Sequence, residues 1–327
     1  MKKIREAAAI LIAAAIFFCV AYLSTWLLMP PRNNYGATWD RYLLEEPDSI
    51  DVLFFGSSFV YCDIVPAVVW EETGLTSYVM AGPEQTIPIT YYYLREACKT
   101  QSPQAVVLEL NGMFFSQYQN YTKVNISYMP WSMNRILATL YGTEPEEKLG
   151  SFFPIYNYHD RIYSVTLEEI YNRLFPKNDP YAGYTLLLTA SEQTGYPDRD
   201  YLTDTDAYRN NVDYLETIAA YCTGNDIQLI LYFAPVHCYV PENSLLTLEQ
   251  AVESVPHALY FNCNSEAWPE FDSMTNWYDF LHLNLYGAVP FSRRFSQELM
   301  NLNLQITNSD SDLWRERIHL IQTRLEP

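Results

Sequence analysis

Ile50-Asp51-Val52-Leu53-Phe54-Phe55-Gly56-Ser57-Ser58 is the stretch on which the fold turns. A short apolar run stopped by a glycine reads as a buried strand, with a serine just beyond its end. The same grammar recurs outward from it. Residues 77–81 (Ser-Tyr-Val-Met-Ala) form a second strand ending at Gly82. Residues 105–110 (Ala-Val-Val-Leu-Glu-Leu) form a third ending at Asn111, and residues 227–233 (Ile-Gln-Leu-Ile-Leu-Tyr-Phe) a fourth that stops before Pro235. Residues 258–262 give a less regular fifth. Helices are expected over 66–72, where Pro66 suits a first turn and Gly74 follows the end, and over 87–100, 204–223 and 285–300. Strands alternating with helices define an α/β fold: about five parallel strands with helices on both faces. Ligands of such sheets sit at the carboxyl ends of the strands. Ser58, Gly82 and Asn111 each follow one.

Two segments break the alternation. Residues 31–49 read as a polar, proline-containing linker. Residues 113–203, rich in Tyr, Pro and Asn, read as an insertion of helical and irregular structure that covers one side of the site. The domain proper is then 50–327.

Residues 7–29 are uncharged and mostly apolar. As a helix they extend about 35 Å, enough for a hydrocarbon layer of about 30 Å. Lys2, Lys3 and Arg5 precede the run, and Tyr22 and Trp26 stand towards its far end, which places the N-terminus on the cytoplasmic side. Residues 1–30 therefore read as a single-pass membrane anchor, with everything beyond Pro30 extracytoplasmic. A cleaved signal peptide is the rival, but its apolar region is ordinarily shorter and ends in a small-residue site that is not evident here. The formal charge is −19, which argues against nucleic acid and anionic lipid surfaces as partners. The six cysteines contain no Cys-x-x-Cys pair, so no zinc ribbon or redox motif is indicated. Buried thiols are the simplest reading.

Far along the chain, Asp279-Phe280-Leu281-His282 precedes the last of the expected helices. A serine hydroxyl is a poor nucleophile until a base takes its proton, and an imidazole serves when a carboxylate orients it. Ser58 is the candidate nucleophile, His282 the base and Asp279 the orienter; Ser57 is the fallback nucleophile. The backbone N–H groups of Ser58 and Gly82 and the side-chain amide of Asn111 are candidate oxyanion donors.

These residues resemble the four blocks of the SGNH/GDSL hydrolases. Gly56-Ser57-Ser58 is similar to the Gly-Asp-Ser block, Gly82 to the lone-glycine block, Asn111 to the Asn block, and Asp279-Phe280-Leu281-His282 to the Asp-x-x-His block. The resemblance covers residues 51–111 and 279–295. Its nearest flavour is the membrane-anchored bacterial branch similar to teichoic-acid D-alanyl transfer and alginate O-acetylation proteins, although many of those carry His after the serine where Phe59 stands here. The family implies a three-layer α/β/α, flavodoxin-like fold and ester chemistry without metal or other cofactor. The substrate expected from it is an acylated glycan or envelope polymer, attacked by an esterase or O-acyltransferase. A catalytically degenerate module that binds polymer or scaffolds a partner enzyme is the alternative; protein partners are not specified by the sequence.

Three further residues are candidates for substrate binding. His159 and Arg161 could together hold a phosphate or carboxylate, and His237 follows the fourth strand. Glu109 reads as a buried acid paired locally.

Overall fold

The computed structural model describes residues 1–31, 39–265, 267–307 and 311–325. Five strands, β1 (Val52–Gly56), β2 (Ser77–Ala81), β3 (Ala105–Glu109), β4 (Gln228–Phe233) and β5 (Leu259–Asn262), form one sheet in the order β2-β1-β3-β4-β5. Every pairing is parallel. Each strand lies within a residue or two of its expected place. Nine helices of eight residues or more stand among the described residues: α1 (Lys2–Leu28), α2 (Pro66–Thr73), α3 (Ile87–Ala97), α4 (Met133–Gly142), α5 (Leu167–Leu174), α6 (Asp206–Gly224), α7 (Glu242–Glu253), α8 (Leu285–Met300) and α9 (Ser311–Leu325).

β1, β2 and β3 are buried at every position. A strand can be apolar throughout only if both of its faces are covered, which is why these runs show no alternation. Two groups of helices do the covering. α3 packs on β1 and β2 and against α4 and α6, and α2 packs against β2, α8 and α9. Polar caps fix several starts: Thr205 accepts from the Tyr208 N–H at α6, and Asn284 accepts from the N–H groups of Tyr286 and Gly287 at α8.

The chain before β1 contributes to the core. Residues 32–38 of the expected linker lie outside the described residues, but Trp39–Tyr42 form a helical turn with both aromatic rings buried. Trp39 packs edge-on against Tyr93, and the Tyr42 hydroxyl donates to the Ala97 carbonyl at 3.0 Å. Polarity averaged over that stretch hid two large anchors.

The insertion has two halves. Its first part carries α4, α5 and shorter helical turns, and it lies against α1 and α3. Its second part is extended. The Val79 N–H at the β2 edge donates to Ala182 O at 2.9 Å. Downstream, the Thr185 N–H donates to Tyr61 O, and the Leu285 N–H to Leu187 O. The Ser191 and Gln193 N–H groups then reach Trp277 O and Ser273 O. This strap therefore runs from the sheet edge to the loop that carries Asp279 and His282.

α9 closes the molecule. Arg317, 1% exposed, pairs with buried Glu45, and its Nε donates to Asp179 O at 3.0 Å. One guanidinium thus joins the segment before β1, the start of the strap and the last helix. Removing one partner of a buried pair strands the other charge, at a cost of about 3–5 kcal/mol. Glu45→Ala should lower the urea unfolding midpoint accordingly, and Glu45→Leu with Arg317→Met should recover most of that loss.

Candidate active site

Gly56 ends β1 with φ +147°, and a Cβ there would meet Val60 Cγ2 at 2.7 Å and Glu109 Cβ at 2.9 Å. Only glycine fits such a close approach. The turn that follows starts the short helix Ser58–Tyr61 at once, and Ser58 is its first residue. Gly56 lies opposite Ala81 on β2, and Phe55 lies opposite Leu108 on β3. The register therefore brings Ser58, Gly82 and Asn111 to the same end of three adjacent strands.

His282 Nε2 stands 2.7 Å from Ser58 Oγ, and its Nδ1 stands 2.9 Å from both carboxylate oxygens of Asp279. Asp279 can only accept, so Nδ1 carries the proton and Nε2 is left to accept from the serine. Asp279 Oδ1 also accepts the N–H groups of Leu281 at 2.8 Å and His282 at 3.0 Å. The Asp-x-x-His spacing is thus a turn in which one carboxylate orders its own loop and the ring. Burial pushes the Asp279 pKa up, but the imidazole and these N–H donors outweigh it and hold it below the usual carboxylate range.

Residues the sequence did not single out hold this arrangement. Asp63, fully buried, accepts the Leu283 N–H at 3.0 Å through Oδ1. It ties the histidine loop to the loop just after the serine. Burial drives its pKa well up, with Glu109 and Asp279 adding to the rise against the Leu283 hydrogen bond. Phe59 packs on the His282 ring at 5.4 Å. No local pattern marks these roles; Asp63 resembled any loop acid.

Asn111 is fully buried. Its Nδ2 donates to Glu109 Oε1 at 2.7 Å, its Oδ1 accepts from the Tyr201 hydroxyl at 3.3 Å, and one Nδ2 hydrogen remains. Glu109 Oε1 also accepts the Asn111 N–H at 2.7 Å, which agrees with the locally paired acid expected from the sequence. Burial raises its pKa from an ordinary 4.5 to about 7, against the pull of the Asn111 and Ala234 N–H groups and Arg199.

His237 reaches the same loop: its N–H donates to Phe280 O at 2.8 Å, and its ring stacks on Tyr196 at 4.4 Å. Burial lowers its pKa, the Gly195 backbone opposing. His159 and Arg161 are placed elsewhere. His159 lines an apolar cavity against Phe17 and Val20 of α1. Arg161 donates to Leu28 O at 2.9 Å and forms a bidentate pair with Glu169. Both stand against α1, because the insertion's first half folds towards it. The guanidinium that does stand over Phe59, the residue after the serine, is Arg199, from the strap. It lies 5.1 Å from the Phe59 ring and 5.4 Å from the Tyr201 ring, and its buried Nη1 has no protein acceptor.

All six cysteines are free, four of them buried. Among the described residues no group of three or more His, Cys, Asp and Glu side chains is arranged to hold a metal ion. No family model matches the chain, and no curated protein matches it. The site therefore speaks through its own geometry.

Two outcomes are expected. Glu109 binds its proton more tightly in the folded state than in the unfolded one. Stability should therefore fall as pH rises from about 4.5 through about 7, then level off. Glu109→Gln should remove that fall in pH-dependent denaturation. A Cβ on Gly82 would lie 2.2 Å from Asn125 Oδ1, so Gly82→Ala should destabilise the fold, and adding Asn125→Ala should restore much of the loss.

Proposed function

We propose that this chain is a membrane-anchored serine esterase or O-acyltransferase of the SGNH/GDSL type, with the three-layer, flavodoxin-like arrangement of that family. It acts on acyl esters of extracytoplasmic glycans or envelope polymers. The observation that carries the reading is the hydrogen-bonded series Ser58–His282–Asp279, whose first and second members are 224 residues apart. The four-block resemblance and the strand order support the family, and the long apolar α1 supports the anchor.

The chemistry follows from the geometry. As Ser58 Oγ attacks the acyl carbonyl carbon, its proton passes to His282 Nε2. The imidazolium is stabilised by Asp279, whose carboxylate stays ionised. The Ser58 and Gly82 N–H groups and the remaining Asn111 Nδ2 hydrogen are the proposed donors to the oxyanion, each contributing a few kcal/mol. Collapse expels the alcohol, which takes the proton from Nε2, and leaves an acyl-serine. Water, or a sugar hydroxyl in a transferase, then attacks with His282 again as base.

Labelling by a fluorophosphonate probe tests this. The folded protein should label, and Ser58→Ala should not; a folded protein that never labels would point to the non-catalytic binding module instead. Asp279→Asn should cost about 10⁴ in ester hydrolysis. Asp279 is held below the ordinary carboxylate range, so its own protonation should add no acid limb to the rate within that range.

A further inference from the structure

One surface is accounted for by neither the fold nor the site. The elements touching α1 carry large apolar side chains that nothing covers. Tyr163 is 96% exposed and Leu167 85%, and Leu149, Tyr156, Ile162 and Leu174 are each more than half exposed. α5 is plainly two-faced. Leu167, Tyr171 and Leu174 recur at i, i+4 and i+7 and are uncovered, while Glu169 and Arg173 share the other side and reach Arg161 and Met29 O. A patch of this kind marks an interaction site rather than ordinary surface.

We infer that this rim of the insertion, residues 149–175, beds into the outer leaflet of the bilayer beside α1, with zwitterionic phospholipid as its occupant. The inference rests on the anchor reading above. Continuity with α1 decides the occupant. Phe153 packs on Phe17 and Phe18, with ring centroids 6.3 Å apart in each pair. Phe17 lies eleven residues before Leu28, about 16 Å down the helix axis. A helix that crosses a membrane therefore carries the rim below the level of its own outer end. Arg161 and Arg173 donate to the carbonyls of Leu28 and Met29, so these cations sit at the height of the headgroups. Asp160 and Glu168 are exposed on the same elements. Apolar burial therefore drives the contact, with no pull from anionic lipid. Tyr156, Tyr163 and Tyr171 suit the interfacial zone, where an amphipathic ring meets both apolar chains and water.

The test uses the full chain with Cys19→Ser, reconstituted into phosphatidylcholine vesicles holding no other protein. An environment-sensitive fluorophore is attached in turn at Ile12→Cys, Leu167→Cys and Glu216→Cys, with unsubstituted Cys19→Ser as background. Quenching by lipids spin-labelled near the headgroup or deep in the chain is then compared. The expected result is a blue-shifted Leu167 label quenched more by the headgroup-proximal probe, an Ile12 label quenched by the deep probe, and a water-like Glu216 label. A quenched Ile12 label beside a water-like Leu167 label overturns the lipid-bound rim and leaves the anchor standing. An unquenched Ile12 label removes the anchor, and this inference with it.

Discussion

Parallel register is the constraint from which the rest of the structure follows. β1 pairs with a neighbour on each side, so the ends of three strands stop level and their next residues share one space. Close packing fixes two of these turns: Glu109 lies beneath Gly56 at the end of β1, and Asn125 lies against Gly82. The site is a consequence of strands of equal length ending together. A slip in either pairing would separate the serine from Gly82 on one side or from Asn111 on the other.

Register alone does not bring in the histidine. Its loop comes from the far end of the chain and is held by short bonds to buried groups. Asp63 holds Leu283, Phe280 receives the His237 N–H, and the strap meets Ser273, Trp277 and Leu285. The enclosure costs something in charge. Asp63 and Glu109 both have pKa values pushed up by burial, while Asp279, with a cation-capable ring and two N–H donors, is held down. Three carboxyl groups around one site thus differ in behaviour because their neighbours differ.

Much of this was legible before any coordinates. The strand ends were marked by glycine, asparagine and proline after short apolar runs, signals that are local and so survive in sequence. The helices over 66–73, 87–97, 206–224 and 285–300 carried caps or clean ends. What stayed hidden depends on distant partners. In α9 the spacing of Trp314, Ile318 and Ile321 is helical and legible, but Arg317 becomes core only because Glu45 receives it. Arg199 sits in a segment without periodicity, so its place beside Phe59 is a property of the strap's path. His159 and Arg161 read as an anion-binding pair because they stand two apart in sequence, which says nothing about the surface they face.

The joint between α1 and the insertion has a mechanical consequence. The helix is clasped at its end by two arginines and rests near its middle on the Phe153 ring, so the joint behaves as a bracket rather than a leash. A catalyst on a leash samples a volume set by the linker's length. If α1 is the membrane anchor proposed above, one on a bracket works at a single altitude above the lipid. Under the proposed acyl-transfer reading, the substrates would then be chosen by where a polymer's acyl groups hang as much as by the shape of the cleft.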